Sequence, residues 1–296
     1  MDRAMAMTGA PAGRSEFLEL TKPRITFMVV ITAAAGFWLA SVGPIDLPLF
    51  LATLLGTGMV AAGASCLNQL AERETDARMD RTSGRPLPAG RVDALPAAAF
   101  GVALSLLGSL LLLLAVNRTT AVVGLVTLAL YVLVYTPLKR RTTLCTVVGA
   151  VPGALPPVMG WTGASDALSA EAWVLFAILF LWQIPHFLAI AVAWRDDYAR
   201  GGHVMLPVVD PDGSRTARQT VLYSAALLPV SLLPAILQMS GELYFFGALA
   251  LGIGFLAFGV ATARDRSVAA AKRLLRYSVA YLPILFALMA ADKVAS

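Results

Sequence analysis

Apolar residues in this chain gather into long runs broken by short polar segments, with little of the alternation that marks half-buried strands. A membrane-crossing helix needs about 20 mostly apolar residues to span about 30 Å of hydrocarbon. Nine stretches approach that length: residues 25–42, 49–67, 95–115, 120–137, 144–162, 171–192, 219–239, 243–262 and 277–291. The fifth is rich in Gly and Pro, and the ninth is short. The pattern predicts an all-α polytopic membrane protein of about nine transmembrane helices. Residues 1–20 are expected to form a tail, and residues 21–296 a single transmembrane domain.

Composition agrees with this. Of 296 residues, 58% are hydrophobic and 14% charged, against roughly 25% charged in an ordinary soluble domain. The basic residues orient the chain, because Lys and Arg are retained on the cytoplasmic side during insertion. With the N-terminus inside, every basic residue except Arg118 and Lys293 falls on the inner side, and losing a central helix would scramble that division. The net charge of +5 then reflects basic inner loops facing anionic lipid headgroups, with no nucleic-acid partner required. Asp2, Glu16 and Glu19 interrupt the first 20 residues, so neither a cleavable signal peptide nor a transit peptide is expected. Cys66 and Cys145 form no CxxC pair and read as buried structural thiols.

One segment breaks the apolar pattern. Residues 68–90, NQLAERETDARMDRTSGRPLPAG, follow the second candidate helix and interleave four acids with four arginines. If that helix continues past the membrane, Asn68, Glu72, Asp76 and Asp80 line one face at four-residue spacing. Carboxylates and an amide oxygen so arranged suit Mg²⁺, which is usually held by one or two carboxylates together with substrate phosphates. A solvated helix end stitched by ion pairs would explain Glu74 and Arg78. It explains Asn68, Glu72 and Asp76 less well, since the C-terminus of a helix disfavours acids.

A second acidic station, Asp196–Asp197 followed by Tyr198, closes the sixth candidate on the same side. Between the two, the fourth candidate ends in Lys139, Arg140 and Arg141. Acid stations with cations between them describe a diphosphate clamp. A secondary transporter would also carry intramembrane polar groups, but its site should lie near the midplane, whereas these acids cluster at one face. His186 lies mid-helix beside Pro185. There it could face a ligand or bond to backbone carbonyls freed by the proline. His203 stands in a following loop, where it could ligate or simply be solvated.

The stretches LTKPRIT (20–26), NQLAERETDARMDRTSGRPLP, YTPLKRRT, VPGALPPVMGW, WQIPHF and DDYARGGHVMLPVV resemble the UbiA superfamily of intramembrane prenyltransferases, and within it the heme-farnesylating branch. The resemblance implies a UbiA-type helical bundle, in a bacterial inner membrane with its active site on the cytoplasmic side. Farnesyl diphosphate and heme B would be the substrates. A farnesyl group would pass to a heme vinyl group with addition of water, giving heme O. Mg²⁺ would be held by Asn68, Glu72, Asp76 and the Asp196/Asp197 pair. Lys139 and Arg140 would neutralise the leaving diphosphate, with Arg81, Arg85 and Arg195 behind them, and Tyr198 and His186 would belong to the substrate-binding set. Membrane lipids, a heme A synthase or terminal-oxidase assembly factors are the partners this branch implies. The alternative is an aromatic prenyltransferase of quinone biosynthesis. Three positions depart from the superfamily pattern: Glu72 stands for the usual Asp, Arg200 breaks a DxxxD spacing after Asp196, and Cys145 stands where Asn is expected.

Overall fold

A computed structural model describes residues 13–294. Among these, regular structure is helical apart from one isolated bridge between Ser240 and Lys293. A short helix α1 (Arg14–Leu20) precedes α2 (Pro23–Ala40), α3 (Leu47–Asp76), α4 (Ala94–Ala115) and α5 (Arg118–Leu138). Two ten-residue helices follow, α6 (Cys145–Ala154) and α7 (Pro156–Ser165). Next come α8 (Ala170–Ala193), the short α9 (Arg195–Arg200) and α10 (Leu206–Val209), then α11 (Ser214–Ile236), α12 (Glu242–Asp265) and α13 (Val268–Ala291).

Eight of these helices are long and apolar enough to cross a membrane; the predicted fifth span is instead the pair α6 and α7. Its hydrogen bonding lapses at Leu155, which keeps helical dihedrals, because neither Pro156 nor Pro157 has an N–H to donate. The break is tolerated because Pro156 through Gly163 are buried inside the protein, where interrupted backbone need not face lipid. The close fit depends on two glycines. A Cβ at Gly36 would lie 2.0 Å from the Pro157 carbonyl oxygen, and one at Gly160 would lie 1.8 Å from that of Ala33.

The ends of the bundle give the number of crossings. Lys22, at the start of α2, bonds Asn68 near the end of α3, whereas Lys293, after α13, donates to the carbonyls of Trp38 and Ser41 at the other end of α2. The first and last spans therefore begin and finish at opposite ends, which requires an odd number of passes. Eight long helices plus the broken pair supply nine.

Helix starts are specified locally. The Asp46 side chain accepts from the Leu49 amide at 3.1 Å, Asn117 from Thr120 at 2.8 Å and Ser267 from Ala270 at 3.1 Å, satisfying N–H groups that the first turn leaves free. The largest apolar cluster includes Leu175, Ile178, Leu227, Tyr244, Phe255, Tyr281 and Leu285. Outward-facing Leu106, Leu113, Leu125, Leu133, Phe246, Ile253 and Ile284 are exposed, as a lipid-facing surface requires.

Two boundaries differ from the sequence expectation in ways that matter. Helix α3 runs to Asp76, well past residue 67, which carries Asn68 and Glu72 on a continuous helix. It ends there, so Asp80 sits in the following turn and leaves the shared face. Helix α13 starts at Val268 and takes in Lys272, Arg273 and Arg276; the ninth candidate looked short because its first turns are basic. The end of the expected tail packs on the domain, since Leu20 is fully buried and its carbonyl accepts from Gln69 Nε2 at 2.7 Å.

Candidate active site

The charged end of the bundle is built on the last turns of α3. Asn68, Glu72 and Asp76 are all buried, and each is met by a cation from another part of the chain. Lys139 Nζ lies 2.8 Å from Glu72 Oε1 and donates to Oε2 at 2.9 Å. Arg85 reaches Asp76 Oδ2 at 2.6 Å. Lys22 donates to Asn68 Oδ1 at 2.9 Å, and the Asn68 amide donates to Thr136 at 3.0 Å.

Local backbone features aim these cations. Lys139 follows a π-helical stretch, Leu130–Tyr135, that ends α5, and its ammonium sits 4.7 Å from the centre of the Tyr135 ring. Burial opposes its charge, but the Tyr135 ring and the Glu72 carboxylate more than offset this and raise its pKa above the ordinary lysine value. Lys22 occupies the left-handed region, with φ of 49°, uncommon for a non-glycine residue. Burial first, then repulsion from Arg85 and Lys139, lowers its pKa to about 7 against the attraction of Glu72 and Asp76.

The second station reaches the same end but is bonded differently. Asp197 is buried and accepts from the backbone amides of Asp80 at 3.2 Å and Arg81 at 3.3 Å. It is also paired with Arg200, which bonds Asp80 at 2.6 Å. Tyr198 accepts from Arg81 at 3.3 Å, and the Arg81 guanidinium lies 5.4 Å from the Tyr198 ring and 5.7 Å from that of Trp194. The two acid stations are thus laced together through the turn after α3.

Several expected site residues fall outside this cluster. Asp196 is exposed, turned away by the same helical turn that buries Asp197. Arg140 is exposed and forms no ion pair among the described residues. Arg195 lines a separate cavity of about 240 Å³ with Leu188, Asp210, Thr216 and Arg266, and none of the α3 acids borders it. His186 stacks on Trp182 with ring centres 4.8 Å apart, and its Nδ1 lies 2.8 Å from the Ser278 hydroxyl of α13, so it does not bond the carbonyls freed by Pro185. Cys66 and Cys145 are buried and free. Lys22 was missed as a site residue: the LTKPRIT stretch signals it only through a lysine placed directly before a proline.

Among the described residues no three His, Cys, Asp or Glu side chains converge as a ready metal cage. The donor set nevertheless fits a Mg²⁺ ion that arrives with an anionic ligand. Glu72 Oε1 is buried without an aligned hydrogen-bond donor, and Mg²⁺ asks for only one or two carboxylates beside phosphate oxygens and water. Lys139 and Arg85 answer the two carboxylates, and Lys22 on Asn68 adds a third basic side chain, whose ammonium form an arriving diphosphate would favour.

The model of the UbiA prenyltransferase family matches residues 29–285, and the chain belongs to that family. Solved structures share the fold: a digeranylgeranylglyceryl phosphate synthase superposes with a TM-score of 0.77 at 18% identity, covering 94% of this chain and 97% of that one. A UbiA homolog from Archaeoglobus fulgidus bound to GPP and Mg²⁺ gives 0.67 at 18% identity, covering 93% and 99%. Closer in sequence, the protoheme IX farnesyltransferase of Solibacter usitatus is 52% identical over 94% of this chain and 98% of its own length. That of Salinibacter ruber is 46% identical over 94% and 98%, and that of Koribacter versatilis 43% identical over 98% and 97%. Full-length similarity of this degree sets the chain among the protoheme IX farnesyltransferases.

Proposed function

We propose that the cluster around Asn68, Glu72 and Asp76 binds the diphosphate of farnesyl diphosphate, and that the farnesyl group passes to a vinyl carbon of heme B with addition of water, giving heme O and inorganic pyrophosphate. The carrying observation is the convergence of Arg85 and Lys139 on two buried carboxylates, with Lys22 on the Asn68 amide oxygen of the same helix face. Full-length relatives that farnesylate protoheme IX support the choice of acceptor.

Glu72, Asp76 and Asn68 would hold Mg²⁺, which, when bound, supplies positive charge to the phosphate oxygens. The remaining work falls to the chain. As the bond between C1 and the diphosphate oxygen breaks, negative charge grows on the leaving group. Lys139 and Arg85 are already in place, so they stabilise that charge more than they stabilise the ground state. The raised pKa of Lys139 keeps its ammonium charged, and its two donors not used by Glu72 can turn to phosphate. The allylic cation is attacked by the vinyl carbon, water adds to the cation so formed, and a proton is released. A buried site limits early capture of the allylic cation by water.

His186 belongs to the acceptor side of this reading: the stacked Trp182–His186 pair presents a flat apolar surface next to an imidazole nitrogen. The charged end would face the cytoplasm of a bacterial cell membrane, in keeping with the basic residues there. The test incubates membranes bearing the protein with heme B, farnesyl diphosphate and Mg²⁺ and follows hydroxyethylfarnesyl heme by mass spectrometry. Product that disappears with EDTA and in Asp76→Asn is expected; product unaffected by either would end the metal-site assignment.

A further inference from the structure

At the charged end the buried His203 keeps its Nδ1 without a hydrogen-bond partner, whereas the nearby Glu72 carboxylate is answered by Lys139. Buried polar groups are almost always satisfied, so an orphan in a native fold asks for a missing occupant. His203 lies in the loop between α9 and α10 and is 3% exposed. It is held from several sides. Its amide donates to the Tyr198 carbonyl at 2.9 Å, and the next amide, Val204, donates to the Lys139 carbonyl at 2.7 Å. Its ring stands edge-on to Tyr198 with centres 5.8 Å apart.

The turn that delivers it is equally constrained. Gly202 has φ of 71°, and a Cβ at Gly201 would lie 2.9 Å from Met79 Sδ and 3.1 Å from His203 Cδ2. The loop is therefore pressed against the turn after α3 and tied to the backbone of Lys139. Glu72, Asp76, Lys139 and Arg140 are close enough to act on the imidazole electrostatically. A histidine fixed this firmly, yet with a nitrogen left empty, is poorly explained as packing alone.

We infer that His203 is a diphosphate-binding residue, its Nδ1–H donating to an oxygen of the prenyl diphosphate held at the α3 acids. This rests on the reading of the α3 cluster as the diphosphate site. A bound diphosphate would then satisfy the unpartnered imidazole nitrogen, next to the carboxylates that would hold its cation. The imidazole belongs to the phosphate because Mg²⁺ is a hard ion that prefers oxygen ligands.

The amide of Asn occupies the place of Nδ1 and that of Gln the place of Nε2, so the two replacements separate this role from bulk packing. Binding of inorganic pyrophosphate with Mg²⁺ to the purified full chain would be measured by calorimetry, with the melting temperature of the ligand-free protein as the folding control. His203→Ala is expected to weaken pyrophosphate about 10-fold, His203→Asn to stay within about threefold of wild type, and His203→Gln to behave like Ala. Farnesyl diphosphate KM should follow the same order, with heme KM unchanged. Wild-type pyrophosphate affinity in a folded His203→Ala variant, or rescue by Gln in place of Asn, would overturn the inference while leaving the α3 site intact. Absence of pyrophosphate binding by the wild type would remove both.

Discussion

The two acid stations read alike in the sequence and differ in the fold. On α3, Glu72 and Asp76 are each paired side chain to side chain with a cation brought from elsewhere, and Glu72 retains an oxygen free of an aligned donor. At the second station, Asp197 spends its oxygens on the amides of Asp80 and Arg81 and on Arg200, while Asp196 faces outward. A carboxylate answered by cationic side chains can exchange them for a metal and a phosphate. One bonded to backbone amides gives up loop contacts if it turns to a ligand. Spacing in the chain cannot distinguish these cases, because the difference lies in what else reaches the carboxylate.

That contrast can be pressed experimentally. Glu72→Gln should have the largest effect, cutting farnesyl transfer by about 10³-fold at a temperature where the variant is folded; it also leaves the buried Lys139 ammonium without its counter-charge and so lowers the melting temperature. Steady-state rates in membranes check this, and a rate near wild type would erase the distinction between the stations. Next comes Lys22→Met, which should lower turnover by about 10²-fold. It leaves Asn68 without its strongest donor and removes one of three converging cations; unchanged kinetics would return Lys22 to the lipid-facing charges.

Asp197→Asn should act mainly on stability. Losing charged hydrogen bonds to two amides costs about 1–2 kcal/mol, read as a lower unfolding midpoint and faster proteolysis of residues 77–92, with activity falling only as the turn loosens. A loss of turnover as deep as that of Glu72→Gln, in a fully folded protein, would make Asp197 a metal ligand after all. The smallest effect belongs to Asp196→Asn, which should stay within about twofold of wild type, as exposed substitutions usually do. A larger drop would show that this side chain turns inward during the reaction.

Much of the architecture was legible because hydrophobic length and charge sidedness are properties of consecutive residues. Asn68, Glu72 and Asp76 were visible for the same reason, since a four-residue period on a helix is a local fact. Asp80 was grouped with them because nothing in the acid spacing marks where α3 ends; the turn that follows, held by Asp197, takes it off the face. Lys22 looked like one more inner-side lysine. Its value depends on a left-handed backbone before Pro23 and on the 46 residues of chain that fold back to bring Asn68 to it. Arg195 and Arg140 were grouped with the site because they stand next to its residues in the chain, yet a helix turns about 100° per residue and neighbours on it face different ways.

By itself, the sequence determined that this protein lies in a membrane, which end of the bundle carries its charges, and which helix supplies the first acids, because each follows from hydration costs and helical period over short spans. Only the tertiary structure decided which cations answer which acids, that Asp197 bonds the amides of a turn where Asp196 meets solvent, and that His203 keeps an unpartnered buried nitrogen. These depend on distances between residues far apart in the chain, where a shift of a single ångström separates an ion pair from an empty site.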